Sequence, residues 1–217
     1  PPNKGGGIYI NYSSPNIYNC IIKNNHARFG GGIYINNSNV SLANLDIINN
    51  LADAHGGGLW VNGRSFNTPN FSNLNVINNV ADNDGGLGIS GDSTFQPIFL
   101  NSLIKGNSAT FFCGGGVGIE SCSPIFKKVV IINNTGPRGS GVRVWVNSTP
   151  ILENVVIANN SGGSGLYSWG GHTEIINSII YNNYPDEIIT EQAFPYYYGS
   201  NLIISYSDIN GGQTNIV

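Results

Sequence analysis

The sequence predicts an all-β solenoid in which about eight short turns of chain stack on one continuous core. Three observations lead there. A segment repeats: Gly5-Gly6-Gly7-Ile8-Tyr9-Ile10 returns as Gly30-Gly31-Gly32-Ile33-Tyr34-Ile35 and as Gly56-Gly57-Gly58-Leu59-Trp60-Val61, and weaker copies follow. The third glycine falls at 7, 32, 58, 86, 116, 141 and 165, so the spacings are 25, 26, 28, 30, 25 and 24 residues, a period typical of stacked repeats. Apolar and polar residues alternate within each copy, the period-two signature of half-buried strands. Aligned copies then place like residues in columns, which is how a solenoid builds a core that no single repeat could bury.

Each repeat has two halves. The glycine-led strand contributes the inward column Ile8, Ile33, Leu59, Leu87, Val117, Val142 and Leu166. The second half, residues 17–25 and its copies, contributes Ile22, Ile47, Val76, Ile104, Ile131, Ile157 and Ile180, and also Ile17, Leu42, Phe71, Phe99, Phe126, Leu152 and Ile175. No segment has a helical period. Composition agrees. Only 10% of residues are charged, the net charge is −3, and 34 of 217 residues are Asn and 30 are Gly. Soluble domains average roughly 25% charged residues. With 40% hydrophobic residues the chain is not of the disordered class. No apolar run approaches a membrane span, and there is no basic excess for nucleic acid.

Two asparagine columns follow the same period. One is Asn19, Asn44, Asn73, Asn101, Lys128, Asn154 and Asn177, whose stacked amides are expected to bond to one another and to the turns. The other is Asn25, Asn50, Asn79, Asn107, Asn134, Asn160 and Asn183, expected to end each strand in a left-handed turn. These columns, with the Gly-Gly-Gly-Ile-Tyr-Ile and Ile-Ile-x-Asn-Asn motifs, resemble the asparagine ladders of right-handed parallel β-helix proteins, in particular the bacterial secreted and cell-surface repeat type of the pectate-lyase-like superfold. The resemblance covers residues 5–183. It implies one single-stranded right-handed parallel β-helix domain over 1–217, with regular turns over 5–183 and an irregular last turn and partial cap over 184–217. It also implies an extracellular or cell-surface setting, as part of a larger bacterial polypeptide with further domains.

There are three cysteines. Cys20 aligns with Leu45, Leu74 and Val129 and is expected in the core. Cys113 and Cys122 flank the fifth glycine-led strand. If that segment is extended they stand too far apart for a disulfide, so a bridge requires the loop to fold back.

Function on a solenoid is sought on one strand face and its loops. The outward rows of the glycine-led strand read Tyr9, Tyr34, Trp60, Gly88, Gly118, Arg143, Tyr167 and Asn11, Asn36, Asn62, Ser90, Glu120, Trp145, Trp169. All three tryptophans fall here. Aligned exposed aromatics suit a sugar polymer, whose ring faces are apolar. Gly88 and Gly118 leave the middle bare, where insertions at 62–69, 90–97 and 108–113 would wall a groove. Tyr34, Trp60, Trp145, Tyr167 and Trp169 are the expected substrate-binding residues, and the plain alternative is an ordinary sheet surface. For catalysis, Glu120 and Arg143 on adjacent rungs are the candidates, with a surface ion pair as the simpler reading. Asp84, Asp92, Arg138 and His55 lie near. Asp82-Asn83-Asp84-Gly85 begins like a calcium loop but lacks the later ligands, so a turn is expected there, with Ca²⁺ as the alternative. No other metal or cofactor is expected. The acidic and basic motifs of pectate lyases and polygalacturonases are missing, so the resemblance does not carry those activities. The expected function is non-catalytic binding of a polysaccharide or cell-surface glycan. A polysaccharide lyase or glycoside hydrolase in the same groove, and a structural stalk or adhesin spacer, are the alternatives.

Overall fold

A computed structural model describes residues 3–192 and 199–211. Every regular element among them is a β-strand. Three parallel sheets run along the solenoid. The first has eight strands, one per turn: Ile8–Asn11, Ile33–Asn36, Leu59–Asn62, Leu87–Ser90, Val117–Glu120, Val142–Val144, Leu166–Trp169 and Ile188–Glu191. The second, of 13 strands, begins with the long strands Asn16–Lys23, Ser41–Ile48 and Asn70–Ile77 and continues as pairs such as Ile98–Leu100 and Leu103–Lys105. The third has four strands: His26–Phe29, Leu51–His55, Val80–Asn83 and Ser108–Ala109. Loop closure inside each turn is short, and almost all pairing is between turns.

Neighbouring turns pair in register, so Ile8 faces Ile33, Leu59 faces Leu87, and Val117 faces Val142. The columns expected from the repeat are therefore the core. Phe71, Phe99 and Phe126 are at most 1% exposed and stack with ring centroids 4.5 and 5.0 Å apart. Each such burial stabilises by about 1.5–3 kcal/mol. Cys20 departs from the expectation. It keeps its register with Leu45, but it is exposed, because no described rung covers the first turn from the other side.

The two asparagine columns exchange the roles expected of them. The column from Asn19 to Asn177 holds the left-handed turn, with φ near 50° at every position, Lys128 included. Its amides lie outside, and only some bond to each other, as Asn44 does to Asn19 and Asn73 to Asn44. The residues just before the second column, such as Asn24, Asn49, Asn78 and Asn133, take the other left-handed corner. The second column itself points inward as an unbroken ladder. Asn50 Nδ2 donates to Asn79 Oδ1, Asn79 to Asn107, and Asn107 to Asn134, each at 3.0 Å. The other amide hydrogen is given to a carbonyl of the preceding turn, as from Asn107 to Val76 at 2.9 Å. Each Oδ1 also accepts a backbone N–H, as Asn107 Oδ1 does from Asn79 at 2.9 Å. A buried amide is thus satisfied at every rung. The ladder ends on Glu187, 2% exposed, whose carboxylate accepts from Asn183 Nδ2 at 2.6 Å and from Asn210 Nδ2 at 3.1 Å. An acceptor-only group fits the end of a run of donors.

The eighth turn is more regular than the sequence suggests. Ile188–Glu191 pairs with Leu166–Trp169, Asn201–Ser205 with His172–Ile176, and Asp208–Ile209 with Ile179–Tyr181. The expected cap falls partly on Pro195 and Tyr196 to Tyr198, which lie outside the described residues.

Asn107→Ala removes an acceptor for two buried donors and a donor to Val76. It is expected to lower stability by about 3 kcal/mol, read as a lower urea midpoint at unchanged slope. An unchanged midpoint would show that the ladder contributes nothing.

Candidate functional site

The outer face of the first sheet carries the residues singled out in the sequence, but it is not an open groove. A Cβ on Gly88 would collide with the Trp60 ring at Cε3, and one on Gly118 would collide with Oδ1 of Asp84. The glycine floor is thus covered by Trp60 from one turn and Asp84 from another. Those two positions have no side chain because neighbouring side chains occupy the space. The row is also less exposed than expected: Tyr34 is 6% exposed and Tyr167 3%. Tyr167 donates its hydroxyl to Glu191 Oε2 at 2.5 Å. Burial, then the Glu191 carboxylate, pushes its phenol well above the ordinary tyrosine range.

Charge on this face is arranged differently from the Glu120–Arg143 pairing considered above. Register places Glu120 beside Ser90, and Gly118 beside Arg143. Arg143 is 4% exposed and its Nη2 lies 3.6 Å from Asp84 Oδ1. Asp84, 1% exposed, also holds His55, with Nδ1 3.0 Å from Oδ2. Asp84 Oδ1 and Arg143 Nε are buried with no hydrogen-bond partner among the described residues. Such a group is costly to disrupt, since removing one partner leaves a buried charge alone. His55 lies near Phe29, with nearly parallel rings and centroids 5.9 Å apart, and tilts against Trp60 at 4.9 Å. His55 and Asp84 were both noticed in the sequence. Their partnership was signalled only by the two glycines that interrupt the aromatic row. Asp82 turns away from Asp84 and accepts from Thr110 Oγ1 at 3.0 Å. Among the described residues no group of three or more His, Cys, Asp or Glu could hold a metal ion.

The half-exposed aromatics gather over turns five to seven. Trp145 and Trp169 lie against each other with centroids 4.1 Å apart and planes tilted by 36°, and Phe112 meets Trp145 edge-on at 6.2 Å. Arg143 backs Trp145 at 5.0 Å, and the exposed Arg138 lies 4.6 Å from the centre of the Phe112 ring. Phe111, the residue before Phe112, is 76% exposed. Phe111, Phe112 and Arg138 were not picked out as binding residues in the sequence, because they lie in the insertion at 108–113 and in a turn where the repeat assigns no direction. Glu120 is half-buried at the edge of this patch.

The other two insertions pack on each other. Asp92 accepts from Ser65 N at 3.0 Å and from Thr94 Oγ1 at 2.7 Å. The Thr94 hydroxyl, with the backbone amides, holds the Asp92 carboxyl below the usual carboxylate range. Phe95 is fully buried beneath Gly63 and Gly91, and a hollow of about 240 Å³ lies among Asn62, Arg64 and Asp92. Cys113 and Cys122 are free and buried, with no bridge between them, and burial pushes both thiols up to about 12.

A larger cleft, of about 290 Å³, lies around the corner on the second sheet. It is lined by Gln96, Thr149, His172, Glu174 and Asn201 over Pro150, Ile151 and Ile203. No feature of the repeat pointed to it, except that two columns break there.

With this geometry in view, the family described as right-handed β-helix region matches residues 2–123, more than half of the chain. The chain belongs to that family, and its parallel β-solenoid is the fold the family name states. No curated protein and no solved structure gives a significant match. Among the described residues no helix is long and apolar enough to cross a membrane.

Two outcomes test this site. Gly118→Ala is expected to cost about 2 kcal/mol or more through overpacking, and most of that cost should vanish in an Asp84→Ala background, measured as a double-mutant cycle; additive effects would refute the contact. In native protein at pH 8 a thiol reagent should label Cys20 rapidly and the other two cysteines only on unfolding, because the reactive species is the thiolate.

Proposed function

We propose that this β-helix binds glycan, without chemistry, through the half-exposed aromatic patch of Phe111, Phe112, Trp145 and Trp169. One observation carries the reading: Phe112, Trp145 and Trp169, from three turns, converge beside Arg138 on the outer face where the sequence departs from its repeat, and Phe111, next to Phe112 in the chain, is 76% exposed. Aromatic rings supply apolar contact for sugar C–H groups, and the Arg138 guanidinium and Glu120 carboxylate supply polar edges. Tyr167 is buried beside the patch, with Arg138 5.8 Å from its ring centre, whereas Tyr34 and Trp60 stand on earlier turns and are not part of it. In this reading the protein works outside the cell or at its surface, as a module of a larger bacterial polypeptide, the setting that the family resemblance implies. A lyase or hydrolase centred on Glu120 and Arg143 has no particular observation in its favour, since the guanidinium of Arg143 is buried against Asp84. The spacer reading leaves Phe111 and its neighbours without a role.

The test is a glycan array with wild type, Phe111→Ala and Trp145→Ala, alongside assays for reducing ends and unsaturated products. Binding that falls about tenfold or more in either variant, with no product released, is expected. Absence of binding by the wild type would overturn the reading, as would binding indifferent to both substitutions.

A further inference from the structure

The second sheet carries a site that the repeat does not account for. Along its outer face one row reads Ile98, Ile125, Ile151, Glu174 and Ile203, in direct register. Glu174 is the single charged residue in the row, which is aliphatic on its neighbouring rungs and turns polar only further on, at Asn70, Ser41 and Asn16. One position earlier, Pro97, Pro124 and Pro150 form a buried column that Thr173 interrupts, with its buried hydroxyl left without a partner. One position earlier again, Gln96, Ser123, Thr149, His172 and Asn201 follow the same corner from turn to turn. Where an array is this regular, a rung that breaks two adjacent columns, one of them at the expense of a buried hydroxyl, is not explained by packing.

The break coincides with the cleft of about 290 Å³, at the small end of ligand pockets and so of a size for one small ligand. His172 and Glu174 are two residues apart on one strand, about 6.6 Å between α-carbons, and face the same side. Asn201 stands beside His172 on the next rung. The side chains of Gln96, His172, Glu174 and Asn201 make no hydrogen bond to any described residue, so their donors and acceptors are unengaged. Pro150, Ile151 and Ile203 give an apolar floor. Two amides, an imidazole and a carboxylate around an aliphatic floor match a compact molecule with hydroxyls on its rim and C–H groups on its face. No Lys or Arg lines the cleft, and Glu174 would oppose an anion.

We propose that this cleft is a binding site for an uncharged monosaccharide unit, with Glu174 and His172 accepting and donating to adjacent hydroxyls and Ile151 and Ile203 under the ring. It is separate from the aromatic patch and does not depend on it.

The experiment is a titration of isotope-labelled protein with D-glucose, D-galactose, D-mannose and D-glucuronate, followed by amide chemical shifts. At least one neutral sugar is expected to shift amides of 149–151, 172–174 and 201–203 saturably, with a Kd of roughly millimolar order. Glu174→Gln and His172→Ala should each weaken it about tenfold at unchanged thermal midpoint, and Trp145→Ala should leave it unchanged. The proposal is overturned if no neutral sugar shifts these amides, if both cleft variants bind as the wild type does, or if glucuronate binds as tightly as the neutral sugars. Loss of array binding in Trp145→Ala bears on the aromatic patch alone, so failure of either site is read separately.

Discussion

Parallel, in-register stacking at about 4.8 Å per rung is the constraint on which everything else in this molecule depends. It sets each residue directly over its counterpart one turn away, so any group placed inside must be content with a copy of itself. Aliphatic chains and phenyl rings meet that condition by packing. Among polar groups the primary amide meets it best, because its donor and acceptor are both present and the donor of one copy reaches the acceptor of the next. This is the physical origin of an asparagine-rich, charge-poor chain: a buried column of carboxylates or ammonium groups at this spacing would repel itself. Glu187 can be a carboxylate because it stands at the end of the ladder, where only accepting is required.

The same constraint explains why departures from the repeat are informative. The stacking condition holds on the outer face too, but solvent relaxes it, so substitutions there are tolerated and singular residues collect. Gly88 and Gly118 are such departures. They look like a bare floor in one dimension, yet they make room for Trp60 and Asp84, and Asp84 then holds Arg143 and His55. The result is a small buried charge cluster in a chain with very few charges, placed where the turns lengthen. Glu174 and Thr173 are departures of the same kind on another sheet.

Legibility in the sequence followed this division. Columns such as Phe71, Phe99 and Phe126 were readable because period and register are one-dimensional properties. The membership of both asparagine columns was readable too. Which column turned the chain and which one faced inward was not, because Asn is suited to both tasks and the choice depends on whether the corner falls at Asn24 or at Asn25. Cys20 was placed in the core because its column is buried in later turns; an end rung lacks the second neighbour that burial needs. The aromatic row was read correctly as outward, but outward is not the same as exposed, and Tyr34 and Tyr167 are covered by chain from their own and adjacent turns.

By itself the sequence determined the solenoid, its period and its core columns, since these follow from alternation and repetition along the chain. Only the tertiary structure decided which side chains cover the glycines, that Arg143 is matched with Asp84 rather than Glu120, that Phe112 reaches Trp145, and that a cleft opens at His172 and Glu174. Those outcomes depend on insertions and corners, whose direction in space no periodicity encodes, and on contacts between residues roughly one to three turns apart that the repeat makes equally close in sequence but not in geometry.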